Sequence, residues 1–222
     1  MTRITDGETL LFIGDSLTDC GRGRNLLGPN DRYALGCGYV QHIAQVLLAD
    51  RPTAGLRIFN RGIAGNRSHE LAARWEADCL ALAPTRVTVL IGVNDTWHRF
   101  AYSMQGVAVA EAMAHQLTCY EALRQRLPSC QLTIMLPFLL PVGTGLADLH
   151  LWQPEFNERR EATRQLAGSI GATCLDLQEV FDRALHHAPA SAYSEDGVHP
   201  GPGGHALIAR AWLSLHAQTR SP

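Results

Sequence analysis

Hydrophobic residues along this chain fall into short unbroken runs, separated by longer stretches in which apolar positions recur at roughly helical spacing. Five runs read as strands: Leu10–Ile13, Leu56–Asn60, Val87–Ile91, Leu132–Leu136 and Thr173–Leu177. Each is apolar through its length, as a strand covered on both faces must be. Helices are expected near Tyr39–Ala49, Ser68–Leu82, Val107–Leu127, Glu155–Ser169 and Gly203–His216. In the third of these, Val107, Met113, Leu117 and Leu123 fall close to one helical face. Pro84 and Pro128 stop their helices where the next strand must start. The stretch from Pro137 to Pro154, rich in Gly, Pro and apolar residues, is expected as a long loop near one end of the sheet.

Strands alternating with helices specify the α/β class, a parallel sheet with helices on both faces. With 222 residues and 46% hydrophobic content, the chain is expected to form one domain over 1–222, without repeat or linker. The 19 basic and 21 acidic residues leave a net charge of −2, with no basic surplus to draw nucleic acid or anionic lipid. No apolar run approaches the roughly 20 residues that span a bilayer. The polar N-terminus carries no secretory core, so a cytoplasmic protein without membrane partners is expected. The six cysteines, Cys20, Cys37, Cys79, Cys119, Cys130 and Cys174, form no Cys-x-x-Cys pair and are expected as free thiols.

Three strands run into loops whose residues a packed core does not require, and a parallel sheet places all three loops at its carboxyl edge, where such sheets bind ligands. They are Gly14-Asp15-Ser16, Asn60-Arg61-Gly62-Ile63-Ala64-Gly65-Asn66 and Gly92-Val93-Asn94-Asp95; downstream lies Asp196-Gly197-Val198-His199-Pro200. Acyl transfer to water needs a nucleophile, a base, a group that fixes the base's tautomer, and donors for the oxyanion. Ser16, His199 and Asp196 supply the first three, and the amides of Ser16 and Gly65 with the Asn94 side chain supply the donors. Each has a plainer reading: Asp15 and Ser16 as helix caps, Gly65 as a turn residue, Asn94 as a loop brace. Asp15, Asp19 and Asp95 lack metal-site spacing and read as loop-organising residues, and no metal or cofactor is expected. Trp97 is placed either against the pocket, stacking on a substrate ring, or in the core; Tyr193, three residues before Asp196, is a second pocket candidate. His205, behind Gly203-Gly204, reads as packing.

Phe12-Ile13-Gly14-Asp15-Ser16-Leu17, Gly62-Ile63-Ala64-Gly65, Gly92-Val93-Asn94-Asp95 and Asp196-Gly197-Val198-His199-Pro200 together resemble, in order, the four blocks of the SGNH/GDSL hydrolases. The resemblance implies a three-layer α/β/α sandwich with strand order 2-1-3-4-5 and a serine esterase working through an acyl-enzyme. The longer stretches Leu10–Arg22, Ala73–Glu76 and Gly92–Trp97 are similar to those of bacterial intracellular acetylxylan esterases. That finer likeness implies an acetylated sugar, such as a xylo-oligosaccharide, as the small-molecule partner. Some relatives of this kind are homo-oligomers, a state this sequence does not establish. A broad short-chain carboxylesterase, thioesterase or lysophospholipase stays open on the same scaffold, as does, from another class, an inactive carbohydrate-binding module.

Overall fold

The computed structural model describes residues 3–26, 28–101, 105–143 and 149–216. Its centre is a five-stranded parallel sheet in the order β2-β1-β3-β4-β5, formed by Thr9–Gly14, Arg57–Gly62, Arg86–Leu90, Gln131–Leu136 and Thr173–Asp176. All five expected strands are present, shifted by at most a few residues. β1 lies between β2 and β3, with Phe12 level with Asn60 on one side and Thr88 on the other. Because side chains alternate across a strand, Leu10 and Phe12 join one apolar layer while Leu11 and Ile13 join the other. The first layer packs under helices Tyr39–Asp50, Leu177–Leu185 and Pro202–His216; the second lies under Ser68–Ala73, Trp75–Asp78 and Val109–Arg126, and Leu149–Ser169 serves both, with Trp152 and Phe156 in the first and Ala167 in the second. This is a three-layer α/β/α sandwich. Among the described residues no helix is long and apolar enough to cross a membrane.

Four local expectations are corrected. Residues 149–154 are not loop but the start of helix Leu149–Ser169, which takes in Pro154 and buries Trp152 and Phe156; residues 144–148 lie outside the described ones. The single helix expected over Ser68–Leu82 breaks at Arg74 and Cys79 into two short helices and a 3₁₀ turn. The inner face of Val109–Arg126 is Ala112, Gln116, Cys119, Tyr120 and Leu123, with Met113 and Leu117 only half-buried. Gln116 can face inward because its amide donates to Ser68 Oγ (3.3 Å) and accepts from Tyr120 Oη (3.1 Å), so its polar atoms are paired. Leu177 ends no strand: it opens a helix capped by Asp176, whose carboxylate accepts the Gln178 and Glu179 amides, and Leu177, Val180, Phe181 and Ala184 form its buried stripe.

At the amino edge of the sheet, His216 is buried between Arg86, Thr133 and Trp212, at 3.4 Å from Arg86 Nη1 and 3.2 Å from Thr133 Oγ1. Burial and the neighbouring Arg86 cation push its pKa down to about 4; His205, also buried, is pushed to about 4 chiefly by desolvation. Both depart from an unperturbed value near 6.5, so the unfolded chain binds more protons than the folded one between these limits. The stabilisation from keeping them neutral is full above about pH 6.5 and lost as pH falls through about 4, on the order of 3 kcal/mol for each. Thermal unfolding followed by circular dichroism should therefore show Tm falling from pH 7 to pH 4, and less steeply in His216→Gln. An equal slope in that variant would remove His216 from the account.

Candidate active site

Ser16 owes its position to the way β1 ends. A Cβ on Gly14 would lie 2.0 Å from the Leu90 carbonyl oxygen, so only glycine lets the strand end so close to β3. Asp15 then caps the four-residue helix Ser16–Asp19, its Oδ1 accepting the Leu17 amide at 3.0 Å. The half-buried Ser16 hydroxyl is thereby held over the sheet edge at the start of a helix.

The loop after β2 is pinned on three sides. Asp19 accepts the Ala64 amide (2.9 Å), Asn94 Nδ2 donates to the Asn66 carbonyl (3.1 Å), and Asp95 accepts the Ser68 amide (3.0 Å). Gly65, with φ +83°, stands exposed at the crest of this loop, and among the described residues its N–H has no intramolecular partner. The bond from Asn94 to Asn66 uses one amide hydrogen and fixes the plane of the group, leaving the second hydrogen free. Asn94 itself is buried, on the helix Val93–Ala101 that begins at once after β3.

The loop bearing Asp196 and His199 folds around one buried hydroxyl. Ser194 Oγ donates to the His199 carbonyl (2.8 Å) and accepts the Gly197 amide (2.9 Å). Asp196 Oδ1 accepts the amides of Val198 (2.9 Å) and His199 (2.7 Å), leaving Oδ2 at 2.6 Å from His199 Nδ1. On the far side of the ring, Nε2 lies 3.0 Å from Ser16 Oγ. A carboxylate at Nδ1 places the imidazole proton there and leaves Nε2 as the acceptor for the Ser16 hydroxyl.

The electrostatics follow from these bonds. The hydrogen bond with Asp196 raises the His199 pKa above its ordinary value, outweighing burial. Burial works to raise Asp196, but hydrogen bonds from the His199 side chain and the Val198 and His199 amides hold it well below the usual carboxylate range. Asp15, fully buried with Oδ2 unpaired, is pushed up to about 7 by desolvation.

A nucleophile-type serine, an imidazole and a carboxylate in a hydrogen-bonded line, beside a pinned turn with free amides, is the arrangement acyl transfer requires. The GDSL-like lipase/acylhydrolase family matches residues 12–207. The chain belongs to that family. It is a carboxylic ester hydrolase, a serine esterase. It is 33% identical over 212 residues to an acetylxylan esterase from Geobacillus stearothermophilus, covering 95% of this chain and 94% of that one. The structure of an acetylxylan esterase from that organism superposes with a TM-score of 0.88 at 32% identity over the full length of both chains. A protein from Parabacteroides merdae classed as a GDSL-like lipase superposes at 0.90 with 37% identity and 96% coverage of each chain. Structures of catalytic mutants of the Geobacillus enzyme, in which an aspartate, a histidine or a serine is changed to alanine, are similar in fold as well.

In this esterase Trp97 stands beside His199, ring centroids 5.7 Å apart, and packs on the core as well, 5.5 Å from the ring of the buried Trp152. Tyr193 turns away, its hydroxyl donating to the Ala184 carbonyl (3.3 Å) and its ring packing edge-on to Phe181, so the structure gives it a packing place rather than a pocket place. Arg74, which the sequence offers only inside the resembling stretch Ala73–Glu76 and with no role of its own, organises the site. Its guanidinium donates to the carbonyls of Gly14 (2.8 Å) and Arg61 (2.6 Å) and to Asn66 Oδ1 (2.7 Å), tying the ends of β1 and β2 to the Gly65-bearing loop. The break in the helix at Arg74 falls where this side chain turns inward. In an NMR titration, His199 should show a pKa above 6.5, and Asp196→Asn should bring it down; an unmoved value would mean that Asp196 does not set the charge of the ring.

Proposed function

We propose that Ser16 is the nucleophile of this esterase, His199 its base and Asp196 the group that orients the base. The observation that carries this is the continuous line from Ser16 Oγ to His199 Nε2 (3.0 Å) and from His199 Nδ1 to Asp196 Oδ2 (2.6 Å). His199 takes the Ser16 proton as Oγ attacks the ester carbonyl. The negative oxygen so formed meets the amides of Ser16 and Gly65 and the free hydrogen of the Asn94 side chain. Collapse expels the alcohol, which leaves with the proton held on His199. Water, deprotonated by the same imidazole, then attacks the acyl-enzyme and releases the acid.

For the substrate we favour an acetyl ester on a small sugar, in particular an acetylated xylo-oligosaccharide. Support comes from the likeness along the whole chain to an acetylxylan esterase, including forms described as an acetyl-xylooligosaccharide esterase. Trp97 beside His199 adds an aromatic face of the kind on which sugar rings stack.

Ser16→Ala should abolish hydrolysis of aryl acetates while the circular dichroism spectrum is kept, and labelling by a serine-directed phosphonate should vanish with it. Turnover near wild type in that variant would remove Ser16 as nucleophile. Asn94→Ala should lower kcat by about 10²–10³, the usual cost of one oxyanion donor. For the substrate, a panel of acetylated xylo-oligosaccharides and aryl esters from acetyl to octanoyl should show activity falling steeply with chain length and kcat/KM highest on the sugars. A rise toward octanoyl would replace the deacetylase with a lipase-like role.

A further inference from the structure

Cysteines that are scattered along the sequence include one pair brought together beside the Ser16 turn. Cys20 ends the helix Ser16–Asp19 in a left-handed conformation (φ +39°), its amide donating to the Ser16 carbonyl at 3.0 Å. Cys37 lies against it from the segment that enters the helix Tyr39–Asp50: its amide donates to the Cys20 carbonyl at 2.9 Å, its thiol to the same oxygen at 3.1 Å, and the two Sγ atoms are 3.5 Å apart. A backbone bond between the two residues keeps their Cα atoms close, as a disulfide demands, and the sulfurs need to approach by only about 1.5 Å to reach bonding distance.

The surroundings separate this pair from the other thiols, of which Cys174 is half-buried with no cysteine among its hydrogen-bond partners in the described residues and the rest are buried. Cys79, Cys119 and Cys130 are buried, with thiol pKa values pushed up by desolvation, to about 12 for Cys119 and about 11 for Cys130, whereas Cys37 is exposed and open to a small oxidant. Cys20 is half-buried, and burial with the adjacent Cys37 pushes it to about 12, which makes it the resolving rather than the attacking sulfur. A third group assists. His205 Nδ1 accepts the Tyr39 amide (3.1 Å), so the proton of this neutral ring is on Nε2, and that N–H points at Cys20 Sγ from 3.3 Å. It is a donor placed to hold electron density on Cys20 as the sulfur gives up its proton.

We propose that Cys20 and Cys37 are a redox pair that a hydroperoxide converts to a disulfide, tying the Ser16 turn to the entrance of the helix Tyr39–Asp50. The thiolate of Cys37, its proton released to solvent, attacks the terminal oxygen of the hydroperoxide. The O–O bond breaks, the alkoxide takes up a proton and leaves as the alcohol, and Cys37 becomes a sulfenic acid. Cys20 sulfur then attacks the Cys37 sulfur; the S–S bond forms, the S–O bond breaks, and the departing hydroxide takes the Cys20 proton as water. Two electrons pass from the two sulfurs to the peroxide.

The test uses the full-length protein treated with a small excess of hydrogen peroxide, quenched, alkylated and mapped by mass spectrometry. Two of the six thiols should be lost to one link between the peptides bearing Cys20 and Cys37. Tm should rise by about 5–10 °C, as closing a loop of this length implies, and dithiothreitol should reverse both changes. Cys37→Ser, a change at an exposed side chain, should show neither the link nor the rise, and Cys20→Ser should leave Cys37 to oxidise alone. Sulfinic acid on Cys37 without a link in the unaltered protein, a link to any of the other four cysteines, or the same Tm rise in Cys37→Ser would each overturn the proposal.

Discussion

The site depends on how closely β1 can end against its two neighbours. A side chain at Gly14 would strike the Leu90 carbonyl on β3, and one at Gly62 would strike the Asp19 amide, 2.1 Å from where its Cβ would stand. With both positions bare, the helix bearing Ser16 drops into the fork where the sheet order reverses, between the loops that follow β2 and β3. The remaining devices are clamps on those loops. Asp19, Asn94, Asp95 and Arg74 each reach across to the backbone of another loop or strand end, so the loops after β1, β2 and β3 are held by one another, whereas the Asp196–His199 loop ties itself.

What the sequence made legible divides along the same line. The strands could be read because burial on both faces leaves no polar alternation to confuse them, and β1 to β5 all appear. The Asp196 and His199 pairing could be read because its geometry is local: three residues apart, with Oδ1 on the loop's own amides. Ser194 could not, since it acts on backbone atoms, which carry no identity in the sequence; Arg74 stands in the resembling stretch Ala73–Glu76, but the Gly14 and Arg61 carbonyls it holds are as anonymous. Trp97 satisfies both of its readings, standing beside His199 while it packs on the core, and Tyr193 packs because its hydroxyl finds the Ala184 carbonyl.

The helices that went unseen have different reasons. Ser16–Asp19 is a single turn, and Val93–Ala101 carries Asn94, Asp95 and Thr96 where a sequence reader looks for an apolar stripe. Leu177–Leu185 did offer a signal, an Asp cap followed by Leu177, Val180, Phe181 and Ala184, but the strand before it ran on through Leu177. Residues 149–154 were hidden by Pro154, which stops most helices yet lies inside this one.

Asp15 sits directly before Ser16, buried, with one carboxyl oxygen on the Leu17 amide. Its carboxyl, pushed up to about 7, acts on His199 through space, and the imidazolium acts on it in return. A proton on either group weakens the hold of the other on its own. The glycine-tight turn that aims Ser16 thus also sets beside it a second proton-binding group, whose charge bears on His199.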